Sequence, residues 1–350
     1  MRTLRSALAV SSVLLLGLTA CSTSGSGTTS PATGTTPAAP ATTSTTAAPS
    51  GDLAADPTLP KGDGTQTVYL VSKGFQHRFW QAVREGAEQA GEDYGYRVEF
   101  VGPENEQAIT QQLDQLRTAL QQQPAAIGFA ALDSGAAGPV LEEIQAADIP
   151  VIAFDSGVES DIPLTTVSTD NRAAAAAAAE HMVELVGGTG TVGLVCHDQT
   201  SATGQQRCEG FQEYMAENAP EITSLDPQYA GEVGLAANTA RALIQANPGM
   251  VGIYGSNEAS AIGALQGTVE SGQDLTVVGF DSGQAQLDAI RSGQEAGAVT
   301  QSPVRMGYLT VEAAVRAIND LPLDEVIDSG YAWYDATNID DPQIAANLYE

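Results

Sequence analysis

The tetrapeptide Phe-Asp-Ser-Gly occurs twice, at residues 154–157 and 280–283, and each copy ends a short apolar run: Pro150-Val-Ile-Ala-Phe154 in one case, Thr276-Val-Val-Gly-Phe280 in the other. Runs this short, flanked by Pro or Gly, read as parallel strands buried on both faces. A weaker third copy follows the same rule, with Ala125-Ala-Ile-Gly-Phe129 leading to Asp133-Ser134-Gly135. Asp-Ser-Gly alone is ordinary turn chemistry at a strand end. Two matched copies in different halves of the chain imply more, namely two similar lobes. In open α/β sheets the crevice outside the carboxyl ends of the strands holds the ligand, so Asp155 and Asp281 are expected to face one cleft.

Around these copies strands and helices alternate. Strands are expected at 68–71, 97–101, 126–130 and 151–154, separated by helices at 79–94, 106–122 and 136–147. The second half repeats the rhythm, with helices at 171–186, 204–218, 235–245, 257–269 and 284–291 and strands at 191–195, 223–225, 251–254, 276–280 and 296–300. Helix 304–318 is expected to return to the first lobe, and the tail from Val326 to supply closing strands. The pattern predicts an α/β protein with parallel sheets covered by helices on both faces. The alanine run 173–179 needs no special function, because alanine favours helix and lets it lie close to a sheet.

Charge narrows the partners. Lys and Arg number 14 against 43 Asp and Glu, a net charge of -29, and Lys61 and Lys73 are the only lysines. Such a surface repels phosphate backbones, so no nucleic acid partner is expected. At the N-terminus Arg2 and Arg5 precede an apolar run from Ala7 to Leu18, short for a permanent bilayer span and suited to a signal peptide. It ends in Leu18-Thr19-Ala20-Cys21, which resembles the lipobox of bacterial lipoproteins. That resemblance implies a signal peptide over 1–20, cleavage before Cys21, lipidation of that cysteine, and an extracytoplasmic protein anchored to the cell membrane. Residues 21–64 then form a tether. From Ser22 to about Thr58 it is built mainly of Ser, Thr, Pro, Ala and Gly, with no aromatic residue and no charge before Asp52, cannot bury a core, and would reach roughly 35 Å as a flexible chain.

Several motifs fail. Gly188-Thr-Gly190-Thr-Val-Gly193 has dinucleotide-site spacing but follows a helix and enters a strand, the reverse of the fingerprint. No P-loop and no Gly-x-Ser-x-Gly elbow is present. His77, His181 and His197 lack metal-ligand spacing, and His181, near Glu180 and Glu184, reads as a solvated surface residue. No metal or cofactor is expected. Cys196 and Cys208 are left as a pair: outside the cytoplasm a disulfide is favoured, with free thiols or metal binding alongside His197 as the alternatives.

The residues aimed at the cleft share one chemistry. Phe79 and Trp80 open a helix and offer aromatic faces, one of them equally suited to packing beneath it. Asp155 and Asp281 accept hydrogen bonds from neighbouring hydroxyls. Gln205, Arg207, Asn257 and Gln301 lie at helix starts or just after a strand, so they too are expected at the mouth. Such a set suits a small polyhydroxylated ligand.

At this point the chain resembles the periplasmic sugar-binding proteins of ATP-driven importers, of the ribose-binding type related to the ligand domains of lactose-repressor-like regulators. The resemblance runs from about Gln66 to Ile318. It is carried by Lys73-Gly-Phe-Gln-His-Arg-Phe79-Trp80 with Gly86-Ala87, Ile149-Pro-Val-Ile-Ala-Phe-Asp155, Ser168-Thr-Asp170-Asn171, Gln206-Arg207-Cys-Glu-Gly-Phe211, Ser256-Asn257-Glu258, Val278-Gly-Phe-Asp281 and Thr300-Gln301. It implies two doubly wound lobes, 65–169 with 302–328 and 170–301 with 329–350, joined by a hinge of three crossings near Asp170, Gln301 and Asp328. By the same resemblance Phe79 and Trp80 sandwich a sugar ring, Asp155, Asn257 and Asp281 bind its hydroxyls, and Gln301 sits at the hinge. The protein would be a monomer and no enzyme, handing a monosaccharide or polyol to an importer permease. Ser156 and Gln205 stand where the ribose-binding pattern has arginines, and Gly231 falls near its second-lobe aromatic, with Tyr229 close by. These departures bear on ribose itself and leave the sugar class in place. The rival readings are a sensory binding protein for a kinase or chemoreceptor, a quorum-signal or nucleoside binder, a glycosidase using the two aspartates, and a transcription regulator. The last lacks DNA-binding helices ahead of the fold.

Overall fold

The computed structural model describes residues 53–349, so the signal peptide, Cys21 and the expected tether as far as residue 52 lie outside the described residues, while the last part of that tether packs on the fold, with Leu59 buried in the lobe 1 core. Lobe 1 opens with β1 (Thr67–Val71), α1 (Arg78–Tyr94), β2 (Arg97–Val101), α2 (Ile109–Gln121), β3 (Ala126–Phe129), α3 (Gly138–Ala146), β4 (Val151–Phe154) and β5 (Thr166–Ser168). The chain then crosses to lobe 2: α4 (Asn171–Val186), β6 (Gly190–Cys196), α5 (Ala202–Asn218), β7 (Ile222–Ser224), β8 (Gln228–Tyr229), α6 (Val233–Ala246), β9 (Met250–Gly255), α7 (Glu258–Ser271), β10 (Thr276–Phe280), α8 (Gln284–Arg291) and β11 (Gly297–Gln301). It returns with α9 (Pro303–Ile318) and β12 (Val326–Asp328), and crosses once more into β13 (Tyr331–Tyr334) and α10 (Pro342–Ala345).

The first sheet runs β12-β5-β4-β3-β1-β2 and is parallel throughout. The second runs β13-β11-β10-β9-β6-β7, with β8 beside β6 and only β13 antiparallel. Two doubly wound lobes joined by three crossings are therefore present. The expected helices and strands recur with shifts of one to three residues at most ends. β5 and β8 are additional, being too short and too polar to show an apolar run.

Burial follows the alternation. In lobe 1 one face of the sheet packs on α1 and α9, through residues such as Val83, Ala87, Tyr308 and Val311, and the other on α2 and α3. In lobe 2 the alanine run does what small side chains permit: Ala174, Ala175, Ala178 and Ala179 are fully buried on the face of α4 toward the sheet. His181 corrects the expectation of a solvated residue. Its ring stacks on Trp333 with centroids 4.0 Å apart and planes 11° apart, and burial lowers its pKa although Glu184 and Glu180 oppose this.

The three crossings are tied to one another. Thr169 Oγ1 donates to Gln301 Oε1 at 3.0 Å, and the Ser329 N–H donates to the Ser168 carbonyl at 3.0 Å.

Beneath β10 lies a buried acid. Glu295 is 1% exposed, accepts from Gln286 Nε2 at 2.8 Å, and burial pushes its pKa up to about 8. A carboxyl whose folded pKa is raised binds its proton more tightly in the folded state, so stability falls as pH climbs from about 4.5 to about 8 and is flat beyond. Glu295→Gln removes this loss. The variant is expected to melt with the wild type near pH 5 and to exceed it at pH 8.5, by on the order of 3 kcal/mol in chemical denaturation.

Candidate functional site

Both aspartates occupy the left-handed backbone region, Asp155 at φ 56° and Asp281 at φ 80°. Each is pinned there by the neighbouring strand: the Asp155 N–H donates to the Val167 carbonyl at 2.9 Å, the Asp281 N–H to the Val299 carbonyl at 2.7 Å. Aspartate tolerates this conformation better than most residues, yet it still costs about 1–3 kcal/mol, and strain of this kind gathers at ligand sites. The repeated tetrapeptide is thus one repeated backbone device that turns a carboxylate off the strand end into the space between the lobes.

That space is a cavity of about 470 Å³, inside the roughly 300–1,000 Å³ usual for small-molecule sites. Phe79, Trp80, Asp155, Arg207, Asn257, Asp281 and Gln301 line it. Gln205 does not. It is exposed, donates to the Gln199 carbonyl at 2.9 Å, and lines a separate cavity of about 450 Å³ toward the hinge, of which Asp155 is also a wall. Gln205 and Arg207 are two positions apart on α5, about 200° around the helix, so only one of them can face the main cavity.

The aromatic pair departs from the expected sandwich. Phe79 and Trp80 stand at 84° with centroids 4.9 Å apart, touching each other, so no ring fits between them. They form a corner instead. Trp80 Nε1 donates to Glu106 at 2.8 Å, and Phe79 is backed edge-on by Tyr349, whose hydroxyl accepts from the Ser282 N–H of lobe 2. Phe75, 43% exposed, adds a third ring to the wall.

Each aspartate has a cation. Lys73 Nζ lies 3.3 Å from Asp155 Oδ2, and Arg207 Nη1 3.6 Å from Asp281 Oδ2. Arg207 also donates through Nε to Asn171 at 2.8 Å and through Nη1 to the Ser256 carbonyl at 3.1 Å, with its guanidinium 3.8 Å over the Phe280 ring. Gln301 Nε2 donates to Asp281 Oδ1 at 2.7 Å, so a chain of hydrogen bonds runs from the hinge at Thr169 to the cleft. Asn257 has two tasks: its side chain caps α7 by accepting from the Ser260 N–H at 2.8 Å, and it lines the cavity.

Burial raises the Asp155 carboxyl, against the pull of Lys73 and Arg207. Burial also works against the Lys73 ammonium, but Asp155, Glu106 and Asp198 outweigh it and hold its pKa above the usual value. His197 sits in the same wall and is pushed down to about 4 by burial, so it is a neutral ring. At the rim burial opposes the charged form of His77, but its 2.8 Å pair with Glu258 raises the pKa to about 9. Nδ1 lies 3.2 Å from the Phe79 N–H at the start of α1, but accepting that bond needs the neutral ring, so the cap competes with the Glu258 pair, which holds the ring charged below about pH 9.

The lobes are closed on one another. Lys73 Nζ donates across the cleft to Thr203 Oγ1 at 3.0 Å, His77 reaches Glu258, and the Ser134 N–H donates to the Thr200 carbonyl at 2.9 Å. The structure joins Cys196 and Cys208 in a disulfide, Cα atoms 6.2 Å apart, which staples the end of β6 to the helix carrying Arg207. Lys73, His77, His197, Thr203 and Tyr349 are absent from the set read from sequence.

Two parallel-sheet lobes closing through a triple hinge on a charged, aromatic-walled cavity define a protein that captures a small ligand by domain closure. Residues 68–321 match the periplasmic binding protein domain. The chain belongs to that family. Over 249 residues it is 26% identical to the ribose import binding protein RbsB of Bacillus subtilis, covering 71% of this chain and 80% of that one. Over 240 residues it is 27% identical to the D-apiose import binding protein of Actinobacillus succinogenes, covering 67% and 76%. Among solved structures, a carbohydrate transporter solute-binding protein of Agrobacterium radiobacter in complex with D-arabinose superposes with a TM-score of 0.77 at 29% identity, covering 81% of this chain and 98% of its own. A Brachyspira murdochii protein described as an ABC transporter, LacI family transcriptional regulator superposes at 0.72 with 37% identity, covering 83% and 100%. The relatives are binding proteins rather than enzymes. Among the described residues no helix is long and apolar enough to cross a membrane.

Proposed function

We propose that this chain is an extracytoplasmic solute-binding protein that captures a monosaccharide or related polyol between its lobes and delivers it to an ABC importer permease. It acts as a monomer, held to the membrane by lipidated Cys21 and the tether. Phe79, Trp80, Asp155, Arg207, Asn257, Asp281 and Gln301 hold the ligand, and Gln205 stands aside from it. One observation carries the reading: Asp155 is 3% exposed in the cavity wall, and its Oδ2 has no hydrogen bond, only the Lys73 ammonium 3.3 Å away. A buried carboxylate held so against burial and backbone strain is completed by ligand hydroxyls. The relatives bind ribose and D-apiose, and a solved neighbour holds D-arabinose.

The test is a thermal-melt screen of protein stripped of carried-over ligand by unfolding and refolding, against pentoses, hexoses, deoxysugars and inositols. A ligand at 100 times its dissociation constant adds roughly 2.7 kcal/mol, a shift of several degrees. If no sugar or polyol moves the melt of a refolded sample, the sugar reading fails.

A further inference from the structure

Lys73 is one of two lysines in the chain, and it is 4% exposed. It follows β1 and points into the cleft, where its ammonium lies 3.3 Å from Asp155 and donates to Thr203 of the other lobe at 3.0 Å. An ammonium has three donors and the Thr203 bond uses one, so the remaining N–H groups are available to a ligand held beside Asp155. Arg207 is held by Asp281 at 3.6 Å, and at the rim His77 is 2.8 Å from Glu258. Every cationic side chain on this wall therefore already has a carboxylate within 4 Å. The acids outnumber them: Glu106 is occupied by Trp80, and Glu104 and Glu232 also line the cavity. His197 is neutral and adds no charge.

An anionic ligand entering here meets no free cation and a surplus of carboxylates. Burying an unpaired charge is strongly unfavourable, whereas hydroxyls need only the donors and acceptors already present. We propose that Lys73 and Asp155 act as one ligand-binding unit, Lys73 donating to the ligand and Asp155 setting the charge selectivity by neutralising Lys73, and that this unit admits uncharged polyhydroxylated ligands while excluding sugar acids. The inference rests on the sugar-binding reading and narrows it.

The experiment is calorimetric titration of the stripped full chain with sugars paired to their acids: D-ribose with D-ribonate, D-arabinose with D-arabinonate, D-galactose with D-galacturonate. The wild type is expected to bind a neutral member at least 100-fold more tightly than its acid. Asp155→Asn removes the carboxylate nearest to the Lys73 ammonium, so that ratio falls at least 10-fold in favour of the acid, even where overall affinity drops. Lys73→Gln weakens the neutral member at least 10-fold without admitting the acid. A wild type that binds an acid within 10-fold of its parent, or a ratio unmoved by Asp155→Asn, overturns the inference and leaves the sugar class standing. Where none of the three sugars binds, the titration is repeated with the ligand the melt screen identifies and its acid; a screen with no sugar or polyol ligand removes the functional reading and this inference with it.

Discussion

Asp281→Ala abolishes the ligand-induced melting shift and raises the dissociation constant of the bound sugar about 1,000-fold, roughly 4 kcal/mol. Two losses add to give this. The carboxylate no longer accepts from ligand hydroxyls, at about 1.5–3 kcal/mol for a charged hydrogen bond. Arg207, 3.6 Å away and buried, also loses its only carboxylate partner in the cleft. Folding suffers too, because Asp281 accepts from Gln301 Nε2 and from the Glu258 N–H, and alanine tolerates φ 80° poorly. Asp281→Asn separates the two effects. Asparagine adopts the left-handed region and keeps an oxygen for one of those donors, so this variant should melt within about 1 kcal/mol of the wild type while still losing most of the affinity. Titration beside a denaturant melt of both variants decides it. An Asp281→Asn protein that binds as tightly as the wild type would remove the carboxylate from the site.

The order of strands and helices was legible because each buried strand is a compact apolar run and each helix has its own periodicity, both local properties. The two aspartates were legible because each ends an apolar run in the same local tetrapeptide, although the carbonyls that pin their backbone, Val167 and Val299, lie 12 and 18 residues further on. What escaped the sequence depends on partners far along the chain. Lys73 belongs to the motif that ends in Trp80 but is absent from the site residues read from sequence, and its place in the cleft depends on Asp155 and on Thr203 of the other lobe. His181 looks exposed on its helix until Trp333 of the last strand covers it. Gln205 departs differently: its helix was expected from residue 204 and begins at Ala202, and the phase of the side chain turns it away from the main cavity. Phe79 and Trp80 were found as residues, while the right angle between their rings follows from Glu106 and Tyr349, which hold them from opposite sides.

Gly86→Val destabilises lobe 1 by roughly 4 kcal/mol or more, placing it among the severe single substitutions. The helices α1 and α9 that cover one face of the first sheet meet backbone to backbone through a reciprocal pair of glycines. A Cβ on Gly86 would stand 1.8 Å from the Val304 carbonyl oxygen, and one on Gly307 would stand 1.8 Å from the Val83 carbonyl oxygen. Neither obstacle is the end of a flexible side chain. Both helices would have to separate, opening the packing of Val83, Ala87, Tyr308 and Val311 that they share. In α6 the opposite holds at Gly234, which is exposed with nothing within 4 Å of an added Cβ. Gly234→Ala should therefore stabilise by about 0.5–1 kcal/mol through helix propensity alone. The pair of variants, melted side by side, separates close approach from propensity. If Gly86→Val melts within a degree or two of the wild type, the two helices do not pack through their backbones, and the lobe 1 core is looser than these contacts require.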